Sequence, residues 1–195
     1  MAHPSVQGEE LLVRYAELTA RILLGLVFAA AAVKLRSAPE RAGFRSMVAA
    51  VRLLPAGLVG PLAVVVAAGE VLVVLLLIFP GTSTAGFALA AVLLTGFLVV
   101  TGLTLRRGIR VACHCFGASR RPLSPVHLGR DALLLAVAVT GLAAPPFGAP
   151  SSAEVATSVI AAVAGALLVV FFVDFVAVFA DPMPGRAVPQ RRKRT

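Results

Sequence analysis

The chain has 195 residues, of which 59% are hydrophobic and 14% are charged. Soluble domains are about 45–50% apolar and about 25% charged, so this composition and a mean hydropathy of +0.95 exclude an ordinary soluble domain and indicate an integral membrane protein. The formal net charge is +9, yet the chain has no Trp and only one Tyr. Because no basic run is interleaved with aromatic residues, a nucleic-acid surface is not supported, and we interpret the arginines as determinants of topology.

Scanning for apolar stretches of about 20 residues, the length needed to cross about 30 Å of hydrocarbon as a helix, gives five, of which the fourth is short. In chain order they cover residues 15–35, 57–79, 84–105, 129–144 and 153–180. The turn "PGTST" separates the second stretch from the third, while "APPFGAP" and "DPMPG" end the last two, since Pro removes a backbone donor. Lipid leaves backbone polar groups no partner outside the helix itself, and no dyad alternation indicates a barrel. The sequence therefore predicts an all-α membrane protein.

The connection between the first two spans has a pattern of its own. Phe44, Met47, Val48 and Val51 are apolar and are separated by arginines. This spacing predicts a short amphipathic helix that lies in the membrane interface. A plain loop is the alternative.

Basic residues are concentrated on one side of this topology. The opposite side carries the acidic N-terminal segment, residues 1–13, with Arg14 as its only Lys or Arg. The positive-inside rule then predicts a multi-pass protein of the cell membrane with its N-terminus outside and its basic tail, residues 181–195, in the cytoplasm. The acidic "QGEE" before the first span is unlike a signal peptide, so we expect no cleaved leader. The residues assigned to the cytoplasmic side are Lys34, Arg36, Arg41, Arg45 and Arg52, then Arg106, Arg107, Arg110, Arg120, Arg121 and Arg130, then Arg186, Arg191, Arg192, Lys193 and Arg194.

Glu70 is the deepest ionisable residue within the predicted spans. At about 1.5 Å per residue, it and Arg21 on the antiparallel first span lie at similar depths, so we expect them to meet. Ionisable groups inside a membrane are candidate functional sites. The pair would either fix the register of the helices or form a proton- or quinone-handling site.

Two aspartates are expected to have structural roles. Asp174, near the end of the fifth span, is expected to pair with Lys34 or Arg130. Asp131 opens the fourth helix, where a carboxylate interacts favourably with the positive end of the helix dipole.

The only two cysteines of the chain stand one residue apart in "IRVACHCFGASRRPLSP". Three interpretations of Cys113, His114 and Cys115 compete. Two thiols can be inert packing groups, but a loop this rich in arginine is not a packing core. A metal interpretation would use all three residues and His127 as ligands for Cu(I) or Zn.

The third interpretation is redox chemistry. A disulfide between residues i and i+2 needs a Cα separation of about 4.4–6.8 Å, which a locally bent backbone can reach. Such a bond would be strained and easily reduced. Arg110, Arg120 and Arg121 are near in sequence, and they would stabilise a thiolate together with a cationic His114.

The order of motifs resembles the methylamine-utilisation MauE family, a branch of the DoxX-like membrane proteins. The resemblance is carried by "ARILLGLVFAAAAVKL", "GPLAVVVAAGE", "LRRGIRVACHCFGA" and "LGRDALLL", over residues 14–144. It implies a four-helix membrane bundle that supports the maturation of methylamine dehydrogenase together with a thioredoxin-like partner. It also implies that Cys113 and Cys115 are the exchanging pair and that Glu70 is the matching intramembrane acid.

We therefore expect a four-helix transmembrane bundle over residues 14–144, a C-x-C loop at 106–128 and a fifth transmembrane helix at 153–180. The predicted function is thiol–disulfide exchange with a thioredoxin-like protein, in which Cys113 and Cys115 react and His114 tunes them. The sequence fixes no cofactor, and a quinone is compatible with it. The alternatives are a copper- or zinc-handling membrane protein and a structural membrane subunit.

Overall fold

The computed structural model describes residues 4–34, 42–43, 45–46, 48–49, 55–108, 124–145 and 150–180, and nearly all of these residues are helical. Each of the five long helices has the length and apolar composition needed to cross a membrane. The predicted all-α membrane class is thus confirmed. The helices are α1 (Pro4–Lys34), α2 (Ala56–Ile78), α3 (Ser83–Arg106), α4 (Pro125–Ala143) and α5 (Ser152–Ala180), with a 3-10 turn, Pro80–Thr82, between α2 and α3.

Helices α1 to α4 form a four-helix bundle in which each helix packs against the next and α4 returns to α1. Helix α5 lies outside this ring, packs mainly against α1 and also touches α4. We call the end where α1, α3 and α5 finish and α2 and α4 begin the basic end, because Arg106 and Arg107 are exposed there. The end that holds the Pro80–Thr82 turn is called the opposite end.

The core of the bundle is built from large apolar side chains of all four helices. Leu24, Phe28, Phe87, Leu94 and Leu134 are fully buried. The outward faces of the helices are also apolar, with exposed residues such as Val64, Val92, Ile160 and Leu168. A helix that is apolar all round has to lie against lipid on the side that protein does not cover.

Small residues let α5 approach α1 closely. A Cβ placed on Gly165 would lie 2.7 Å from the Cδ1 of Leu23, and Ala162 and Ala166 on the same helix are buried. Small residues at a helix interface allow backbones to come together in a membrane, where packing rather than the hydrophobic effect drives association. Helix α5 is thus an integral part of the packed structure.

Two helix starts differ from the prediction. Helix α1 begins at Pro4 rather than at residue 15, and α4 begins at Pro125 rather than at residue 129. The earlier start of α4 has a local cause, since Ser124 is the N-cap and Pro125 occupies the first turn, where its missing N–H is not needed.

The predicted amphipathic helix of the first connection is described only in part. Residues 42–43, 45–46 and 48–49 are helical, which agrees with a short helix rather than a plain loop. Phe44, Met47 and Val51 lie outside the described residues.

Replacement of Gly141 by Ala should destabilise the bundle. A Cβ at Gly141 would overlap the ring of Phe87, which is 1% exposed and cannot move into solvent. Overpacking of this kind costs about 1–3 kcal/mol. Gly129→Ala on the same helix is the matched control, because a Cβ there meets nothing within 4 Å. The free energies of unfolding measured in detergent should fall for Gly141→Ala and be unchanged or slightly higher for Gly129→Ala, and equal values would contradict the packing described.

Candidate functional site at the basic end

The C-x-C loop begins where α3 stops. The backbone N–H of Arg107 donates to the carbonyl of Leu103 (3.0 Å) and that of Gly108 donates to the carbonyl of Leu105 (3.1 Å). Gly108 has a φ of +64°, a left-handed conformation that glycine adopts without a steric penalty at the end of a helix. The sequence Arg-Arg-Gly therefore fixes the point at which the chain leaves the bundle.

The loop ends at a capped helix start. The backbone N–H of Ser124 donates to Nδ1 of His127 (3.3 Å), and the Ser124 hydroxyl lies 3.1 Å from the same nitrogen. The Ser124 side chain in turn accepts from the backbone N–H of His127, which completes a capping box. Because Nδ1 accepts the Ser124 N–H, the proton of the neutral ring is carried by Nε2. His127 is 1% exposed, so the anchor of the loop is buried within the bundle.

One turn further into α4 lies a buried ion pair between neighbouring residues. Nε and Nη2 of Arg130 both donate to Oδ1 of Asp131, at 3.1 and 2.8 Å. The two side chains are 4% and 3% exposed. A buried charge is tolerated only when it is paired and hydrogen-bonded, and here the two charges neutralise each other. Asp131 thus has a closer partner than the helix dipole that the sequence suggested.

Helix α3 adds two buried hydroxyl groups near the same end. Thr101 and Thr104 are 5% and 1% exposed, and the Thr104 hydroxyl donates to the carbonyl of Val100 at 2.7 Å. A Cβ placed on Gly102, between them, would lie 3.8 Å from the Cδ1 of Leu128 on α4. We call these buried polar residues the basic-end cluster; its members are Thr101, Thr104, His127, Arg130 and Asp131.

The thiols themselves lie outside the described residues. Cys113, His114 and Cys115 belong to residues 109–123, as do Arg110, Arg120 and Arg121. The two residues that bracket this segment, Gly108 and Ser124, are both at the basic end. Within the described ranges, no group of three or more His, Cys, Asp and Glu side chains could hold a metal ion.

The predicted pair between Arg21 and Glu70 is not formed. Arg21 instead donates from Nε and Nη2 to the backbone carbonyls of Leu77 and Ile78, at 2.5 and 2.8 Å. These carbonyls end α2 and have no partner within the helix, and the negative end of the helix dipole favours a cation there. Arg21 is level with the end of α2, whereas Glu70 lies seven residues, or about 10 Å, deeper.

The opposite end has a polar layer that the sequence did not reveal. Arg14 of α1 forms a salt bridge with Glu154 of α5, with 2.8 Å between Nε and Oε1. The other carboxyl oxygen of Glu154 accepts from the backbone N–H and the hydroxyl of Ser151. An open pocket at this end is lined by Arg14, Glu17, Arg21, Ser83 and Thr84, among others.

Glu70 lies between these two polar layers. It is 2% exposed, and its Oε2 has no hydrogen-bond partner in the part of the chain that the structure describes. The described salt bridges also leave it out. Glu70 therefore lies inside the bundle away from both polar layers, and its predicted pairing with Arg21 is wrong.

Other side chains also have partners that the sequence did not predict. Arg130 pairs with Asp131. The sequence also predicted that Asp174 pairs with Lys34 or Arg130, and the side chains of Asp174 and Lys34 lie outside the described residues.

Two patterns in the sequence could have predicted some of these polar contacts. "SSAE" has the Ser-x-x-Glu spacing of a capping box. The two threonines of "TGLT" stand three residues apart, which puts them on one face of α3.

Removal of the Asp131 carboxylate should destabilise the protein strongly. Asp131→Asn removes the carboxylate charge that Nε and Nη2 of Arg130 both contact, and loss of one partner of a buried pair costs about 3–5 kcal/mol. The double variant Arg130→Met, Asp131→Leu should recover a large part of this loss, because it removes both charges. Denaturation midpoints in detergent measure the effect, and additive costs for the two positions would contradict a coupled pair.

Comparison with known proteins supplies a family. The model of the family described as "Methylamine utilisation protein MauE" matches residues 13–144. No curated protein and no solved structure shows a significant match. The matched range includes most of α1, all of α2, α3 and α4, and the loop with both cysteines. Since it covers more than half of the chain, this membrane protein belongs to the MauE family.

Proposed function

We propose that this protein supports thiol–disulfide exchange with a thioredoxin-like partner during the maturation of a redox enzyme of the methylamine-dehydrogenase type. The family match over residues 13–144 carries the proposal, because it includes Cys113 and Cys115. The only two thiols of the chain are one residue apart, so each can be the resolving thiol for the other.

The exchange needs no atoms from elsewhere. A thiolate of one protein attacks the disulfide of the other and forms a mixed disulfide, and the second thiolate of the attacking pair then breaks it. One protein forms a disulfide and loses two electrons and two protons, and the other takes up these electrons and protons as its disulfide becomes two thiols. The same two residues serve in either direction of electron flow.

The charges around the loop favour the reactive thiolate. Arg106 and Arg107 are exposed at the end of α3, and Arg110, Arg120 and Arg121 follow within the loop. Cationic groups near a thiol stabilise its anionic form. His114, between the two thiols, would tune their reactivity further.

The basic-end cluster would give the exchanging loop a fixed base. The loop starts at the left-handed Gly108 and ends at the capping box of Ser124 and His127. His127 of the second anchor is buried, and the Arg130–Asp131 pair lies one turn further along α4. Fixed ends limit the conformations open to the loop, which would keep both thiols at the basic end.

The charge distribution supports a cell-membrane protein with its N-terminus outside and the loop on the cytoplasmic side. Five apolar helices require the two chain ends to lie on different sides, and the positive-inside rule assigns the arginine-rich ends to the cytoplasm. A partner for the thiols would then approach from the cytoplasm.

The fold makes His127 a poor ligand for the metal-handling alternative. Its Nδ1 accepts the Ser124 N–H in the capping box of α4, its Nε2 carries the ring proton, and the ring is buried. Cys113, His114 and Cys115 would then have to supply the ligands from three successive residues.

A trapping experiment tests the exchange. With Cys113→Ser or Cys115→Ser in the full chain, the remaining thiol should form a mixed disulfide with a thioredoxin-like protein, because the resolving thiol is gone. The wild type should form an intramolecular disulfide on oxidation, and the double Ser variant should form neither. Non-reducing gels with mass spectrometry identify the species. If neither single variant traps a partner, the exchange proposal fails, and stoichiometric metal on the reduced wild type would establish the alternative.

Labelling in intact cells tests the orientation. A membrane-impermeant maleimide should not reach the reduced Cys115 until the membrane is permeabilised, because the loop is assigned to the cytoplasm. The control is Gly8→Cys in a background with both natural cysteines changed to Ser, since Gly8 is exposed near the start of α1 at the opposite end. It should label at once. The reverse pattern would invert the assigned topology.

A further inference from the structure

The middle of the helix bundle contains a single ionisable residue. Helices α1, α3, α4 and α5 have no Asp, Glu, Lys, Arg, His, Cys or Tyr over residues 22–33, 84–105, 132–143 and 155–171, and α2 has only Glu70 over residues 57–78. No ionisable side chain of these segments can therefore neutralise Glu70.

Contacts between the helices set the depth of Glu70. A Cβ placed on the neighbouring Gly69 would lie 3.3 Å from the Cδ1 of Leu93 on α3, and the Arg21 contacts place the end of α2 level with the middle of α1. Counting back along the antiparallel α1 puts Glu70 level with Phe28, which is fully buried. The layer around Glu70 is thus apolar on its neighbouring helices.

The nearest charged layers lie far from Glu70 in both directions. Towards the opposite end, Arg21 bonds to the carbonyl seven residues along α2, which is about 10 Å away along the axis. Towards the basic end, Leu128 on α4 is level with Gly102 on α3, which lies nine residues beyond Leu93. Arg130 is two residues nearer the centre than Leu128, so the axial distance between Glu70 and Arg130 is again about 10 Å.

Glu70 is buried in this layer with an unused acceptor. Its 2% exposure shields it from bulk solvent, its Oε2 is unpartnered, and no cation among the described residues lies beside an ionised carboxylate there. An unpaired charge is not tolerated in such surroundings, and the group takes its neutral form instead.

We propose that Glu70 is a proton-binding site. Its carboxylic acid keeps its proton at neutral pH and exchanges that proton with water. It is the one titratable group in the helix segments between the two polar layers of the bundle. The inference goes beyond thiol exchange and does not depend on it. No covalent bond to carbon or sulfur changes in this step, since one proton is bound or released at a carboxyl oxygen.

Infrared spectroscopy of the full chain in an ester-free maltoside detergent tests this proposal directly. At neutral pH the wild type should show the carbonyl stretch of a protonated carboxylic acid, and the band should shift when the protein is labelled with ¹³C-glutamate. Glu70→Gln, which preserves shape and removes the proton-binding oxygen, should lose the band entirely. Glu17→Gln should keep it, because Glu17 lies in the open pocket at the opposite end. If Glu70→Gln fails to fold, Glu70→Asp replaces it: labelled with ¹³C-glutamate, this variant should keep an unshifted band, because its buried acid is then an aspartate, and a band that still shifts would assign the proton to another glutamate.

Exchange of the proton is the second part of the test. Transfer to D2O should shift the same band within minutes. A band that stays unshifted would overturn the exchange with water and leave only a permanently protonated Glu70. Absence of the band at neutral pH, or its survival in Glu70→Gln, would overturn the site itself. The double variant Cys113→Ser, Cys115→Ser should give the wild-type band. A missing band with successful thiol trapping would therefore overturn this inference alone, and the converse result would overturn the proposed function alone.

Discussion

The whole structure depends on the fact that lipid offers no hydrogen bonds. Every polar group within the bilayer has to be satisfied by the protein, and this bundle does so in two layers near its ends. At the basic end, Arg130 is neutralised by its sequence neighbour Asp131, and His127 closes the first turn of α4. At the opposite end, Arg21 satisfies the last carbonyls of α2. Between these layers the packing is apolar except for Glu70.

The two ends serve the chain differently. The polar groups of the opposite end mostly terminate helices, as Arg21 and the Ser151–Glu154 capping box show. Those of the basic end lie near the end of α3 and the start of α4, the two helix ends between which residues 109–123 carry both thiols of the chain. Buried polar networks that are fully satisfied make a site rigid, and a reactive loop would benefit from rigid anchors because fewer of its conformations are unproductive. This difference supports the exchange chemistry that we propose for the basic end.

The number and approximate position of the membrane helices could be predicted from the sequence because hydrocarbon thickness imposes a length that composition alone reveals. The position of Glu70 inside the second span was predictable for the same reason. The failure of Glu70 to pair with Arg21 was not, since pairing depends on the relative axial shift of two helices: the end of α2 is level with Arg21, whereas the prediction took it to be level with residue 15. The sequence also could not single out the backbone carbonyls of Leu77 and Ile78 as acceptors for Arg21, because every residue has a backbone carbonyl. The pairing of Arg130 with Asp131 was missed because neighbouring helix residues usually face different directions.

The position of α5 bears on how the protein is made. The last helix runs parallel to the first, with Leu23 against Gly165 and Arg14 joined to Glu154, although about 120 residues separate the two helices in the chain. During synthesis α1 enters the membrane first, and its face towards α5 stays uncovered until α5 has been translated. During that interval Arg14 would lack the Glu154 carboxylate. Helix α5, which follows the family match, therefore covers one side of α1. A chain that ended before α5 would leave that side of α1 exposed.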